Sequence, residues 1–229
     1  MPFGKVDVLF FILGGQVMAE QLWSVQPFKR PEVPRAVDGW ALNPVDQFIA
    51  QKLVNAGINP GKKAASSVLL RRVSFDVTGL PPSPNDVAAF WDAEDAEYEQ
   101  LVDRLLASPH FGERWATHWL DIARFAESHG FEMDQPRPDA WRYRDYVIRS
   151  WNADKPYSRF ILEQLAGDEL ADYSDPDKIT SEIHDNLVAT GFLRLVPDAT
   201  YFGITNFVPD RLDIIDDMLE VVSSSVMGL

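Results

Sequence analysis

Cysteine is missing from all 229 residues. That excludes disulfides, thiolate zinc sites, iron–sulfur clusters, thioether-linked haem and cysteine nucleophiles together. Positive charge is scarce: 21 Lys and Arg stand against 35 Asp and Glu, for a formal charge of −14 and a pI near 4.6. That balance argues against a nucleic-acid or anionic-membrane surface as the main partner. No apolar run approaches the roughly 20 residues that span a bilayer. Also missing are a glycine-rich phosphate loop, G-x-S-x-G and H-E-x-x-H, so no sequence motif marks a P-loop enzyme, an α/β-hydrolase or a zincin.

Apolar residues make up 46% of the chain and tryptophan occurs seven times, enough for a packed core. The N-terminal stretch "MPFGKVDVLFFILGGQVMAEQ" holds one lysine, an apolar run from Val8 to Leu13, and Val17-Met18-Ala19 with a small residue at the cleavage position. It reads as a signal peptide over 1–19, and hence as an exported, periplasmic or extracellular protein. Residues 20–39 follow as an extended arm, because Pro27, Pro31 and Pro34 interrupt any helix there.

From about residue 40 to 229 helix signals dominate, and the expected fold is one irregular all-α domain. Asn43-Pro44, Ser83-Pro84 and Ser108-Pro109 each pair a capping side chain with proline at the first helical position. Helical periodicity then predicts helices near 44–56, 66–78, 84–90, 95–107, 110–128, 139–152, 157–166, 180–193 and 210–227. No segment alternates with period two beyond short stretches in 192–208.

The stretch "ERWATHWLDIARFAESHG" concentrates chemistry. On one continuous helix Arg114, His118, Asp121 and Phe125 share a stripe, with Trp115, Trp119, Ile122 and Ala126 on the next. His118 and Asp121, three apart, can meet so that the carboxylate fixes the imidazole tautomer, as a general base or metal ligand requires. The bland alternative is a polar seam on a core helix. In 128–146 the side chains of His129, Glu132, Asp134, Arg137, Asp139, Arg142, Arg144 and Asp145 surround Phe131, Trp141, Tyr143 and Tyr146. Arg114, Arg137, Arg142 and Arg144 are candidates for docking a substrate or domain, since guanidinium forks match carboxylates. An Arg–Asp network tying the loop to its helix is the rival reading. Asp168 and Glu169 follow Gly167, where adjacent carboxylates could bind a cation with backbone carbonyls or pair with the arginines above. Asp134 and Asp168 join His118 and Asp121 as the candidates for acid–base work. No metal site is expected.

Long collinear blocks carry a resemblance: "LWSVQPFKRPEVP", "LLRRVSFDVTGLPPSP", "YEQLVDRLLASPHFGERWATHWLDIARFAES", "GFEMDQPRPDAWRYRDYVIRSWNADKPYSRFILEQLAGDEL" and "ATGFLRL". From about residue 22 to 229 the chain resembles the planctomycete cytochrome-C-type domain of unknown function. The resemblance implies a helical, exported module placed between a c-type haem domain and a second domain. In such relatives a Cys-x-x-Cys-His motif follows a segment similar to "DIIDDMLEVVSSSVMGL", where this sequence ends, so a truncated member is expected. Leu219, Val222, Val226 and Leu229 would then share an uncovered helix face. Haem is implied for the full-length relative, held by nothing covalent here, with His118 as the one residue expected to face it. His129 stands where relatives commonly carry aspartate. Three functions follow as expectations. The first is a module docking a haem-bearing segment, a substrate or a neighbouring domain. The second is an enzyme acting on extracellular polysaccharide through carboxylate and histidine chemistry. The third is a structural scaffold or inactive fragment.

Overall fold

The computed structural model describes residues 27, 29–35, 39–90, 95–130, 134–195 and 208–228. The expected signal peptide, about half of the arm, Phe131, Glu132, Leu229 and most of the expected pairing in 192–208 lie outside the described residues. The chain divides into two compact units, residues 1–63 and 64–229.

The first unit contributes α1, Pro44–Asn55. Its start is the expected one: the Asn43 side chain accepts the Asp46 N–H at 3.0 Å, and the Asp46 carboxylate accepts the Asn43 N–H at 3.2 Å. This reciprocal pair satisfies two orphan donors of the first turn.

The second unit holds the other helices: α2 Ser66–Thr78, α3 Pro84–Ala89, α4 Asp95–Leu106, α5 Pro109–Ile122, α6 Ala140–Asn152, α7 Tyr157–Ala166, α8 Ser181–Ala189 and α9 Val208–Val222. No strand occurs among the described residues; one isolated bridge joins Ser128 to Pro136. The fold is all-α, as the periodicity predicts. Ser83 and Ser108 cap α3 and α5 in the expected places.

Two cores form. The smaller gathers Leu70, Val73, Phe90 and Leu101 from α2, α4 and the end of α3. The larger joins Ala116, Trp119, Tyr143, Tyr146, Val147, Phe160, Phe192, Ile214 and Val221, with α5 and α6 at its centre. These two helices approach closely because Gly112 carries no side chain: a Cβ there would lie 2.5 Å from the Ile148 carbonyl oxygen. Asn152 ties the same contact, accepting the Gly112 N–H at 2.8 Å and donating to the Pro109 carbonyl at 3.1 Å.

The helix expected over 110–128 stops six residues early. Arg124 turns left-handed at φ 56°, and the Phe125 N–H reaches back to the Leu120 carbonyl at 2.9 Å, so the chain leaves at Ile122. Phe125 and Ala126 are therefore off the helix. The segment beyond folds into a small loop, closed by the His129 N–H to the Gln135 carbonyl at 2.8 Å and the Arg137 N–H to the Glu127 carbonyl at 2.7 Å. At the other end, the helix expected over 210–227 starts at Val208 and passes at Ser223 into a π-turn ending at Met227.

Candidate functional site

Arg114, His118 and Asp121 do not form a buried polar seam. His118 and Asp121 are exposed and no hydrogen bond joins them. They line different hollows: Asp121 borders a shallow cleft of about 350 Å³ with Arg124, while His118 faces a cavity of about 680 Å³. Spacing does not forbid the pair, since His110 and Glu113 meet at the same spacing on α5 at 2.7 Å; the His118 ring packs instead against Trp115. Arg114 packs its stem beside Gly79, and its buried Nε has no hydrogen-bond partner.

The arginines of 137–144 are engaged. Arg137 donates to His129 Nδ1 at 3.2 Å and to the Leu195 carbonyl at 3.0 Å. Arg142 binds Asp139 at 2.9 Å and lies over the Trp141 ring, 4.9 Å from its centroid. Arg144 binds Glu127 at 3.1 Å and Asp145 at 3.0 Å. They form the loop-to-helix network that was the rival reading. Asp134, left-handed at φ 40°, accepts the Gly130 N–H at 3.1 Å. Asp168 sits exposed in the turn Gly167–Glu169, and none of the ion pairs found joins it to an arginine. The four carboxylate and histidine candidates are thus not brought together in one cleft.

What the fold does assemble is the larger cavity. Its lining comes from three places: Phe111, Trp115, His118, Trp119 and Ile122 on α5; Trp151 to Phe160 across the α6–α7 junction; and Ser225 of the π-turn. Phe111, Trp115 and Trp151 make one continuous aromatic wall, with centroids 5.8–6.3 Å apart. The His118 ring meets Trp115 edge-on at 5.5 Å. Beneath them, Trp119 crosses Phe160 at 4.9 Å. Both wall tryptophans, Trp115 and Trp151, bury an indole N–H that has no acceptor. A buried donor without a partner costs roughly 1–3 kcal/mol. Both nitrogens are closed off from solvent, so a ligand oxygen reaches them only when the wall rings turn.

Under the cavity lies a charged knot that sequence reasoning missed. Glu163, only 4% exposed along its side chain, accepts Lys155 Nζ at 2.5 Å, Arg159 Nε at 2.7 Å and the Tyr146 hydroxyl at 2.7 Å. Burial raises the Glu163 pKa, but the hydrogen bonds from Lys155, Tyr146 and Arg159 outweigh it and hold the carboxyl below its ordinary range. Burial pushes the Tyr146 phenol up, and its bond to the Glu163 carboxylate pushes it further. Beside this knot the Trp119 indole donates to the Tyr143 hydroxyl at 2.9 Å and to Gln164 Oε1 at 3.1 Å. The signal for Glu163 and Gln164 was present: both fall on the helix face that Phe160 and Gly167 mark as inward.

No cluster of three or more metal-ligating side chains occurs among the described residues, and no described helix is long and apolar enough to cross a membrane. The sequence profile of the family described as "PSCyt2: Protein of unknown function (DUF1549)" matches residues 44–229. The chain belongs to that family. No curated protein and no solved structure matches it.

Proposed function

We propose that this family member is a docking module of an exported protein, and that its aromatic cavity receives a sugar ring of an extracellular polysaccharide. The observation that carries the reading is the continuous Phe111–Trp115–Trp151 wall lining the cavity. The C–H faces of a pyranose are apolar and slightly positive, and they stack on the negative face of an aromatic ring. Turning of the wall rings on binding would bring the buried indole donors to the hydroxyl and ether oxygens around the sugar ring. A cavity of about 680 Å³ falls in the size range of small-molecule sites.

The cysteine-free chain holds no haem covalently. The lining is a poor match for haem held otherwise. It offers one imidazole, His118, and its single ammonium, Lys155, is already bound by Glu163 at 2.5 Å. The propionates would find no free cation there. Binding is also favoured over acid–base hydrolysis, because His118, Asp121, Asp134 and Asp168 do not converge on one cleft. Export is part of the proposal, supported by the apolar N-terminal run and its small-residue cleavage position.

Titration of the chain with neutral β-linked oligosaccharides, followed by calorimetry, tests the reading. Trp151→Ala is expected to weaken binding at least tenfold, which is about 1.4 kcal/mol. Trp141→Ala, an exposed tryptophan outside the cavity, is expected to leave binding within twofold or so of wild type. Absence of binding, or equal loss in both variants, overturns it.

A further inference from the structure

We infer that the cavity selects ligands bearing a positive charge, through Asp154, and that its glycan therefore carries free amino groups. The inference rests on the sugar-docking reading of the same cavity.

Asp154 sits where α6 ends. Its own N–H bonds the Trp151 carbonyl at 3.1 Å and the following Lys155 N–H bonds the Ser150 carbonyl at 3.0 Å. This stop is left-handed, with φ 47° at Asp154. Glycine is the residue that occupies such a position without strain, and asparagine the next best. Aspartate in this conformation commonly gains something back by a local hydrogen bond from its side chain. Here it does not: the carboxylate is exposed on the cavity rim with no hydrogen bond or ion pair. Strain that no local contact repays points toward a ligand.

The charge balance of the lining points the same way. Lys155 is the other permanently charged side chain of the cavity. Its ammonium is bound to Glu163 and lies 4.7 Å from the centroid of the Tyr146 ring, so its charge is neutralised from below. His118 and Tyr157, the remaining titratable groups of the lining, are in no ion pair or hydrogen bond with a carboxylate among the described residues. The uncompensated charge of the lining is therefore that of Asp154, next to an aromatic wall whose ring faces also attract cations. A protonated amine on the sugar meets both. A uronate or sulfate meets like charge and electron-rich rings, with no free cation to receive it.

The test compares three ligands on the 229-residue chain by calorimetry at low salt: a β-linked glucosamine oligomer, its fully N-acetylated neutral counterpart, and an oligogalacturonate. The glucosamine oligomer is expected to bind about tenfold tighter than the neutral one, a difference of about 1.4 kcal/mol, and the galacturonate weakest. D154N and D154G, both suited to the left-handed backbone, are expected to erase the preference by weakening the glucosamine oligomer, with helical circular dichroism unchanged. Equal affinity for the aminated and neutral oligomers overturns the inference and leaves the docking reading standing. So does a preference that survives in both variants. If no oligosaccharide binds, the docking reading falls and takes the inference with it.

Discussion

Glu163 is the residue on which the cavity floor depends. Three donors converge on a carboxylate that is almost fully withdrawn from water. Removing one partner from a buried ion pair costs about 3–5 kcal/mol, because the other charge is left without compensation. Arg159 is partly exposed and Lys155 a fifth exposed, so solvent softens that figure. Glu163→Gln is expected to lose about 2–3 kcal/mol at neutral pH, measured by urea unfolding. The folded pKa of Glu163 lies below its ordinary value, so its contribution is present in full above the ordinary glutamate range. It is lost as pH falls through the depressed folded value. The gap between wild type and variant should therefore close on the acid side, below the ordinary glutamate pKa of about 4.3. A gap unchanged down to the acid limit would mean that packing, and not charge, is what the glutamate supplies.

Among the helices, α5 and α6 carry the architecture, and Gly112 sets their spacing. Its missing Cβ would strike backbone, the Ile148 carbonyl, which cannot swing aside as a side-chain tip could. Gly112→Ala is expected to destabilise by about 2–3 kcal/mol despite alanine's better helix propensity, read as a lower Tm. The end of α5 gives the opposite sign. A left-handed non-glycine residue costs roughly 1–2 kcal/mol, whereas the ion pairs of Arg124 to Asp217 at 3.7 Å and Glu220 at 3.4 Å are partly exposed. Such pairs contribute at most about 1 kcal/mol. Arg124→Gly is thus expected to be neutral or up to about 1 kcal/mol stabilising. A Tm drop of several degrees would instead show that these ion pairs anchor α9.

The same helix shows what was legible. The Ser108-Pro109 start is local chemistry and could be read directly. The stop at Ile122 could not, because neither glycine nor proline marks it; Arg124 takes the left-handed position that sequence rules reserve for glycine. A continuous helix to residue 128 puts Phe125 on the stripe of Arg114, His118 and Asp121; the stop at Ile122 takes Phe125 off it.

At the scale of the whole molecule, composition and periodicity were enough for the all-α class and for most helix starts, since both depend on neighbours in sequence. The cavity depends on residues far apart: Trp115 and His118 meet Trp151, Tyr157 and Ser225 only through the packing of α5 on α6 and the path of the last turn. Nothing in the spacing of the tryptophans distinguishes Trp119, which is buried and fully hydrogen-bonded, from Trp115, which lines the hollow with an idle donor. Likewise the arginines of 137–144 looked like free forks in sequence, and the fold spends them on its own carboxylates and carbonyls.

A sugar ring stacked on the Trp115–Trp151 wall changes the surroundings of both indoles and, as the rings turn, offers their idle N–H groups an acceptor. The indole N–H signals therefore report on docking most directly. In a ¹H–¹⁵N correlation spectrum of the chain, titrated with a β-linked glucosamine oligomer, the side-chain signals of Trp115 and Trp151 should move downfield together. Those of Trp119 and Trp141 should stay. Signals of Trp115 and Trp151 that remain fixed at saturating oligosaccharide, or a response confined to Trp141, would contradict the account.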